Sequence, residues 1–247
     1  MNLNKLFLFV ALAILFTSCK KETHAPHVPA DTAELQVKIG LVSGHSHVDF
    51  GHTFTDGAGN AIKFTELKFF MGHMHLEGHH GDQIAAFHNY HLFDGAHMHN
   101  TFHLGQMPAG HIHYLNFKIG LDEHACAHDP HHAPPPLNTP GMHCHDVGYR
   151  FLSMAGRVDV DGDGDFDGPA DIDFNLHCGA PDMLRTHQLM VHGEVAAGST
   201  HTIALEVKIE DLLGGLDLRN NHMHMGGGEY GAQLMDNLKS AIVVHQH

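Results

Sequence analysis

Apolar residues alternate with polar or small ones in several separate runs, and this period of two restricts the chain to β-strands. Leu35, Val37, Ile39 and Leu41 form one such stripe; Leu115, Phe117, Ile119 and Leu121 form another; Ile203, Leu205, Val207 and Ile209 form a third. Turn-forming stretches, such as Asp56-Gly57-Ala58-Gly59-Asn60 and Gly78 to Asp82, punctuate the runs at the intervals of a sandwich or barrel. The expected architecture is an all-β, antiparallel sandwich. Two segments break the pattern. Glu210-Asp211-Leu212-Leu213 reads as one helical turn, and the helical spacing of Leu234, Leu238 and Ile242 predicts a short C-terminal helix against the sandwich. From His124 to Gly141 the chain is rich in Pro and His and has no alternation, so it reads as a long loop.

The other end carries an address. Lys5 precedes an apolar run from Leu6 to Phe16, followed by Thr17-Ser18-Cys19, the form of a secretory signal. That run falls short of the roughly 20 apolar residues needed to cross a bilayer. Phe16-Thr17-Ser18-Cys19 resembles a bacterial lipobox, in which Cys19 is acylated and becomes the first mature residue; two acyl chains suffice for a stable tether. Lys20 to Glu34, polar and interrupted by Pro26 and Pro29, reads as a flexible linker. The expected organisation is therefore a signal over 1–18, a tether over 19–34 and one metal-binding sandwich domain over 35–247. The protein is expected at the cell envelope, touching the outer membrane only through its lipid, on the periplasmic or the surface face.

A formal charge of −15 excludes the basic footprint of a nucleic-acid binder. Histidine is the dominant excess in composition, with 30 residues scattered from His24 to His247 and no tag-like run. His-x-His pairs recur, among them His73/His75, His97/His99, His111/His113, His143/His145 and His222/His224, with His45-Ser46-His47 beside them. In a strand, positions i and i+2 share a face about 6.5–7 Å apart, within reach of one ion. By phase, His111 and His113 continue the core stripe of Leu115, Phe117 and Ile119, and His73 and His75 continue that of Leu67, Phe69 and Met71. His143 and His145 fall in phase with Tyr149 and Phe151. This reading gathers three pairs at one mouth of the sandwich. A single pair is ordinarily structural or solvated, and at this histidine content several arise by chance. The composition turns them into a metal reading, because neutral imidazole is the commonest metal ligand; a pH-buffering surface is the competing use.

Softer donors lie beside the pairs: Met74, Met98, Cys144, and the run His222-Met223-His224-Met225. Thioether and thiolate shift preference toward Cu(I), so copper leads zinc. Beyond Cys19 there remain Cys126, Cys144 and Cys178, enough for one disulfide and a leftover thiol, or for a thiolate ligand. A separate signal lies in Asp159, Asp161, Asp163, Asp165 and Asp167, with Asp171 beyond. Carboxylates at loop positions 1, 3 and 5 with Gly164 at 6 match a calcium loop, although position 12 is Ala170 and Asp171 falls one place late. The site is expected to be a calcium-bracing turn.

With these motifs in hand, the chain resembles the MbnP-like copper-binding proteins. The resemblance is carried by Phe54 to Phe70, Tyr90 to Asp94, Pro108-Ala109-Gly110, Leu115 to Asp122, Gly141-Met142, Gly148 to Phe151 and Phe174-Asn175-Leu176-His177. It implies a β-sandwich, an extracytoplasmic position and copper binding. It also implies a tryptophan-rich stretch after Gly-Met and, in some members, a tryptophan oxidised to a kynurenine-like ligand by a partner dihaem enzyme. This chain departs there: His143-Cys144-His145 follows Gly141-Met142 and there is no Trp, so that ligand cannot form and no dihaem oxidase partner is expected. His177 matches a histidine that the family places on the following strand and is carried as a ligand candidate. The expected function is envelope sequestration, buffering or transfer of copper. Zinc binding is the alternative, as is a redox or hydrolytic enzyme with a histidine-ligated centre. No His-Glu-x-x-His occurs, and His192-Gly193-Glu194 is not followed by Pro-Cys-x-x-Cys, so an enzyme is not the leading reading.

Overall fold

The computed structural model describes residues 31–144 and 148–245. The signal, Cys19, most of the tether and His145 lie outside the described residues. The chain opens with β1 (Thr32–Ser43), β2 (Ser46–His47), β3 (Phe54–Thr55), β4 (Ala61–Glu77), β5 (Gln83–Asp94), β6 (Asn100–Pro108) and β7 (Gly110–Ile119). After α1 (Glu123–Cys126) come a small hairpin, β8 (His143–Cys144) and β9 (Gly148–Tyr149), and then β10 (Leu152–Asp159), β11 (Ile172–Cys178), β12 (Arg185–Val195) and β13 (Thr200–Lys208). They are followed by α2 (Ile209–Leu213), β14 (Met223–Gly226), α3 (Gly228–Ala241) and β15 (Ile242–Val244).

The strands form a five-stranded sheet, β15-β13-β1-β2 with β6 also on β1, and an eight-stranded one, β12-β7-β4-β10-β11-β14 with β3 and β5 on β4. The alternating stripes supply the facing surfaces. Leu35, Val37, Ile39, Ile203, Leu205 and Val207 join Leu67, Phe69, Leu115, Phe117, Met154, Phe174 and Leu176 in one buried core. Each such side chain contributes roughly 1.5–3 kcal/mol of burial. β4 is long enough to serve two neighbours on one edge: Ala61–Phe69 pair with β10 and Met71–Glu77 with β7.

Three expectations are adjusted. The sheets are mixed, because β1 pairs β13 and β11 pairs β14 in parallel; alternation reports which face a residue takes, not the direction of its neighbour. β1 starts at Thr32, inside the expected tether, since Ala33 is buried and pairs with Met107 of β6. The C-terminal helix ends at Ala241, where Ile242 enters β15. The helical turn at 210–213 is present as α2, and its Leu212 and Leu213 share the core with Leu234, Met235 and Leu238 of α3. Among the described residues no helix is long and apolar enough to cross a membrane.

Candidate metal centre

The histidines concentrate where the ladders slip. On β4, His73 and Met74 together oppose Phe117 of β7, and His73 has φ +49°. A bulge reverses the alternation beyond it. Met71 and Met74 are therefore both buried, while His73 and His75 are only part-buried. The two histidines do not continue the core stripe, which corrects the phase reading. Gly72, just before the bulge, leaves room for Tyr90: a Cβ there would lie 2.4 Å from the tyrosine ring. His73 Nε2 lies 3.2 Å from Asp122 Oδ2 and its ring 5.6 Å from that of His88, whereas His75 Nε2 turns to Glu77 Oε1 at 3.2 Å. His73, His75 and His88 line one cavity of about 200 Å³.

A second slip lies between β7 and β12. Met190 pairs with Tyr114 and Gly193 with Ile112, so Val191 and His192 oppose His113 alone. Ile112 is buried here and His111 is exposed, so this pair also leaves the core stripe. The ring of His113 lies 3.9 Å from that of His192 and 4.9 Å from that of His79. His111 Nδ1 meets Glu194 Oε2 at 2.6 Å.

His97 and His99 sit in the turn between β5 and β6 rather than on a strand. His99 contacts His47 at 4.9 Å, and His245 Nδ1 lies 2.5 Å from Glu206 Oε1. His73, His97, His99, His124 and His128 line a cavity of about 1020 Å³. His143 packs against His131 at 5.1 Å; its partner His145 is outside the described residues. Sequence reasoning missed His79, His88 and His245, and it named His47 and His192 without assigning them to a metal site. They stand far from their neighbours in the chain, and only strand register brings them together.

The softest donor set forms on β11 and β14. The segment His222 to Met225 is extended, so its two residue types separate. His224 faces α3, with its ring 5.3 Å from Tyr230, and His222 Nδ1 and His224 Nε2 are buried without hydrogen-bond partners. Met223 and Met225 lie exposed on the other side. Parallel pairing aligns Met225 with His177 of β11, and His177 Nδ1 approaches Met225 Sδ to 2.8 Å. His177 is 5% exposed and Met225 54%, so a buried imidazole meets solvent through a thioether. His177 is out of phase with Phe174 and Leu176 because it faces outward, in register with Ser153 of β10. Burial first, then the Arg150 guanidinium, hold its imidazole down at about 4, against the pull of Glu66. At neutral pH it is uncharged, the state a metal requires.

The exposed large apolar side chains among the described residues are Met98, Met190, Met223 and Met225. Met98 and Met223 are flanked by histidines, and Met190 precedes His192 by two positions on one strand face. Thioethers left in water beside imidazoles present soft donors at the surface. The thiols do not add to them. Cys126 and Cys178 are free, and burial pushes them up to about 11 and about 12, so both stay protonated.

The acidic loop closes as a turn between β10 and β11. Asp159, Asp161 and Asp171 each place a carboxylate oxygen within 4.8 Å of the others, and no other trio of His, Cys, Asp or Glu does so among the described residues. Asp171 enters although it is one place late, because it accepts from Val160 N and Gly168 N. Asp163, Asp165 and Asp167 are not part of this trio; Asp163 and Asp165 accept from the backbone of Asp165 and Asp167.

Fold and site together define a histidine- and methionine-rich β-sandwich protein with imidazoles clustered at strand irregularities. The chain belongs to the MbnP family, whose profile matches residues 32–229. It is similar in fold to the solved structure of MbnP from Methylosinus trichosporium, at 17% identity and a TM-score of 0.53, covering 80% of this chain and 82% of that one. A comparison with curated proteins gives no match. The family is associated with copper. The residues present fit copper through imidazole and thioether, since no Trp exists to be oxidised into a ligand.

Proposed function

We propose that this protein binds copper at the cell envelope, Cu(I) foremost, and serves its sequestration, buffering or transfer, held to the membrane by a lipid on Cys19. The observation that carries this reading is the contact between the His177 imidazole and the Met225 thioether. A neutral nitrogen beside a soft sulfur favours Cu(I) over harder ions. The nearby Arg150 guanidinium acts in the same direction, because its repulsion of a dication is twice that of a monocation. The His143-Cys144-His145 sequence, which follows the Met142 carbonyl that accepts from Arg150 N, is the proposed source of further donors. For the Asp159, Asp161 and Asp171 trio we propose calcium, a hard ion suited to carboxylates, as a brace for the β10–β11 turn.

The test is titration of the mature, metal-free protein with Cu(I) against a chromophoric chelator. The reading expects at least one equivalent bound tighter than micromolar, weakened by about 100-fold in the double variant His177→Leu/Met225→Leu. A protein that binds neither copper nor zinc at micromolar levels overturns it.

A further inference from the structure

We infer that His79, His113 and His192 form a second and separate metal site, one for a divalent first-row cation, Cu²⁺ in preference to Zn²⁺. The three side chains come from the β4–β5 turn, from β7 and from β12, and their rings meet at 4.9 and 3.9 Å. Imidazoles bound to one ion at about 2.0–2.1 Å in tetrahedral geometry have ring centres about 5 Å apart. The observed spacings lie at that value for His79 and His113 and about 1 Å short of it for His113 and His192. Their nitrogens do not all lie within 4.8 Å of one another, so closing on an ion takes side-chain rotation. His79 and His192 are exposed and His113 only part-buried, so their surroundings leave room for it.

The bulge gives the convergence a structural cause. Val191 and His192 together stand opposite His113, which sets the His113 and His192 imidazoles side by side across the two strands. The surroundings favour a dication. A cavity of about 430 Å³ is lined by His79, His111, Ile112, His113, His192 and Gly193, and no Lys or Arg contributes to it. Glu194 sits at the rim on His111 and brings a negative charge. Imidazoles this close oppose one another's protonation, and His113 is held below its ordinary value by burial, His192 and His79. No sulfur lines this cavity, in contrast to the pair on β11 and β14. Nitrogen-only donor sets follow the divalent affinity order, which peaks at copper.

The site shares no residue with the His177–Met225 pair, so either can fail alone. The test uses the whole mature protein, metal-free, titrated with Cu²⁺ and followed by electron paramagnetic resonance and chelator competition. The wild type is expected to bind one Cu²⁺ with hyperfine coupling from several imidazole nitrogens. In His113→Ala/His192→Ala that equivalent weakens by at least about 100-fold, more than the loss of an outer-shell partner. His45→Ala/His103→Ala removes as many exposed histidines elsewhere and is expected to change nothing. His177→Leu/Met225→Leu likewise leaves the Cu²⁺ signal intact. Equal loss in the His45/His103 control, or an unchanged signal in His113→Ala/His192→Ala, overturns the assignment. His79→Ala, in an exposed turn, gives the same reading if the double variant folds poorly.

Discussion

Replacing His177 by leucine in the metal-free protein removes one proton-linked source of acid instability, and its size follows from burial. The folded imidazole titrates at about 4 and an unfolded one near 6.5. Because the folded value is the lower, the unfolded chain binds the extra proton between these two pH values. Stability from this group is therefore complete above about pH 6.5 and is lost as pH falls toward 4. Between pH 7 and pH 4.5 the loss amounts to about 2.5 kcal/mol, at 1.36 kcal/mol per unit. Urea unfolding with chelator present, at several pH values, measures it in wild type and in His177→Leu. Asp122 also loses stability on acidification, but it does so in both proteins and cancels in the difference. The variant's stability is expected to fall with acid by about 2.5 kcal/mol less than the wild type's. Parallel pH curves would refute the claim that burial and Arg150 keep this imidazole neutral.

Asp122 caps α1 through Ala125 N and also meets Lys118, and it is held down at about 2. Asp122→Ala is expected to destabilise by about 2 kcal/mol at neutral pH, a deficit that shrinks once pH falls below about 4, as thermal melts across pH would show. Gly156 lies where a Cβ would stand 2.0 Å from the Lys63 carbonyl oxygen and 2.6 Å from the Phe174 ring. Gly156→Ala is expected to cost about 3 kcal/mol in denaturant unfolding. Saturating calcium is expected to raise the melting temperature by roughly 5–10 °C in wild type and not in Asp171→Asn.

Period-two alternation is a local property, and its three stripes fall on β1, β7 and β13 and face the core, although the last runs into Ile209 of α2. The helical turn at 210–213, read as a break in the pattern, is α2. Alternation failed at His73, where a bulge adds one residue to β4 and flips the phase, and at His111 and His113, which lie opposite the slip in β12. Gly72 and Gly193 stand beside the two bulges and were the available local signal, although the positive φ itself falls on His73. The excess of histidine was legible, but its grouping was not. Adjacent pairs such as His73/His75 and His222/His224 were the visible signal, whereas the observed neighbours are His113 with His192, His73 with His88, and His177 with Met225. Each of these depends on strand order and register, which one chain's pattern does not encode. The departure of His177 from the core phase was visible in the sequence. Its meaning came only with Met225 on a parallel neighbour.

The most direct test of copper held by His177 and Met225 is X-ray absorption at the copper edge on protein loaded with one equivalent of Cu(I). The account predicts a mixed nitrogen and sulfur shell that loses its sulfur component in Met225→Leu and its tight binding in His177→Leu. A nitrogen-only shell in the wild type, or a sulfur component untouched by Met225→Leu, would contradict it.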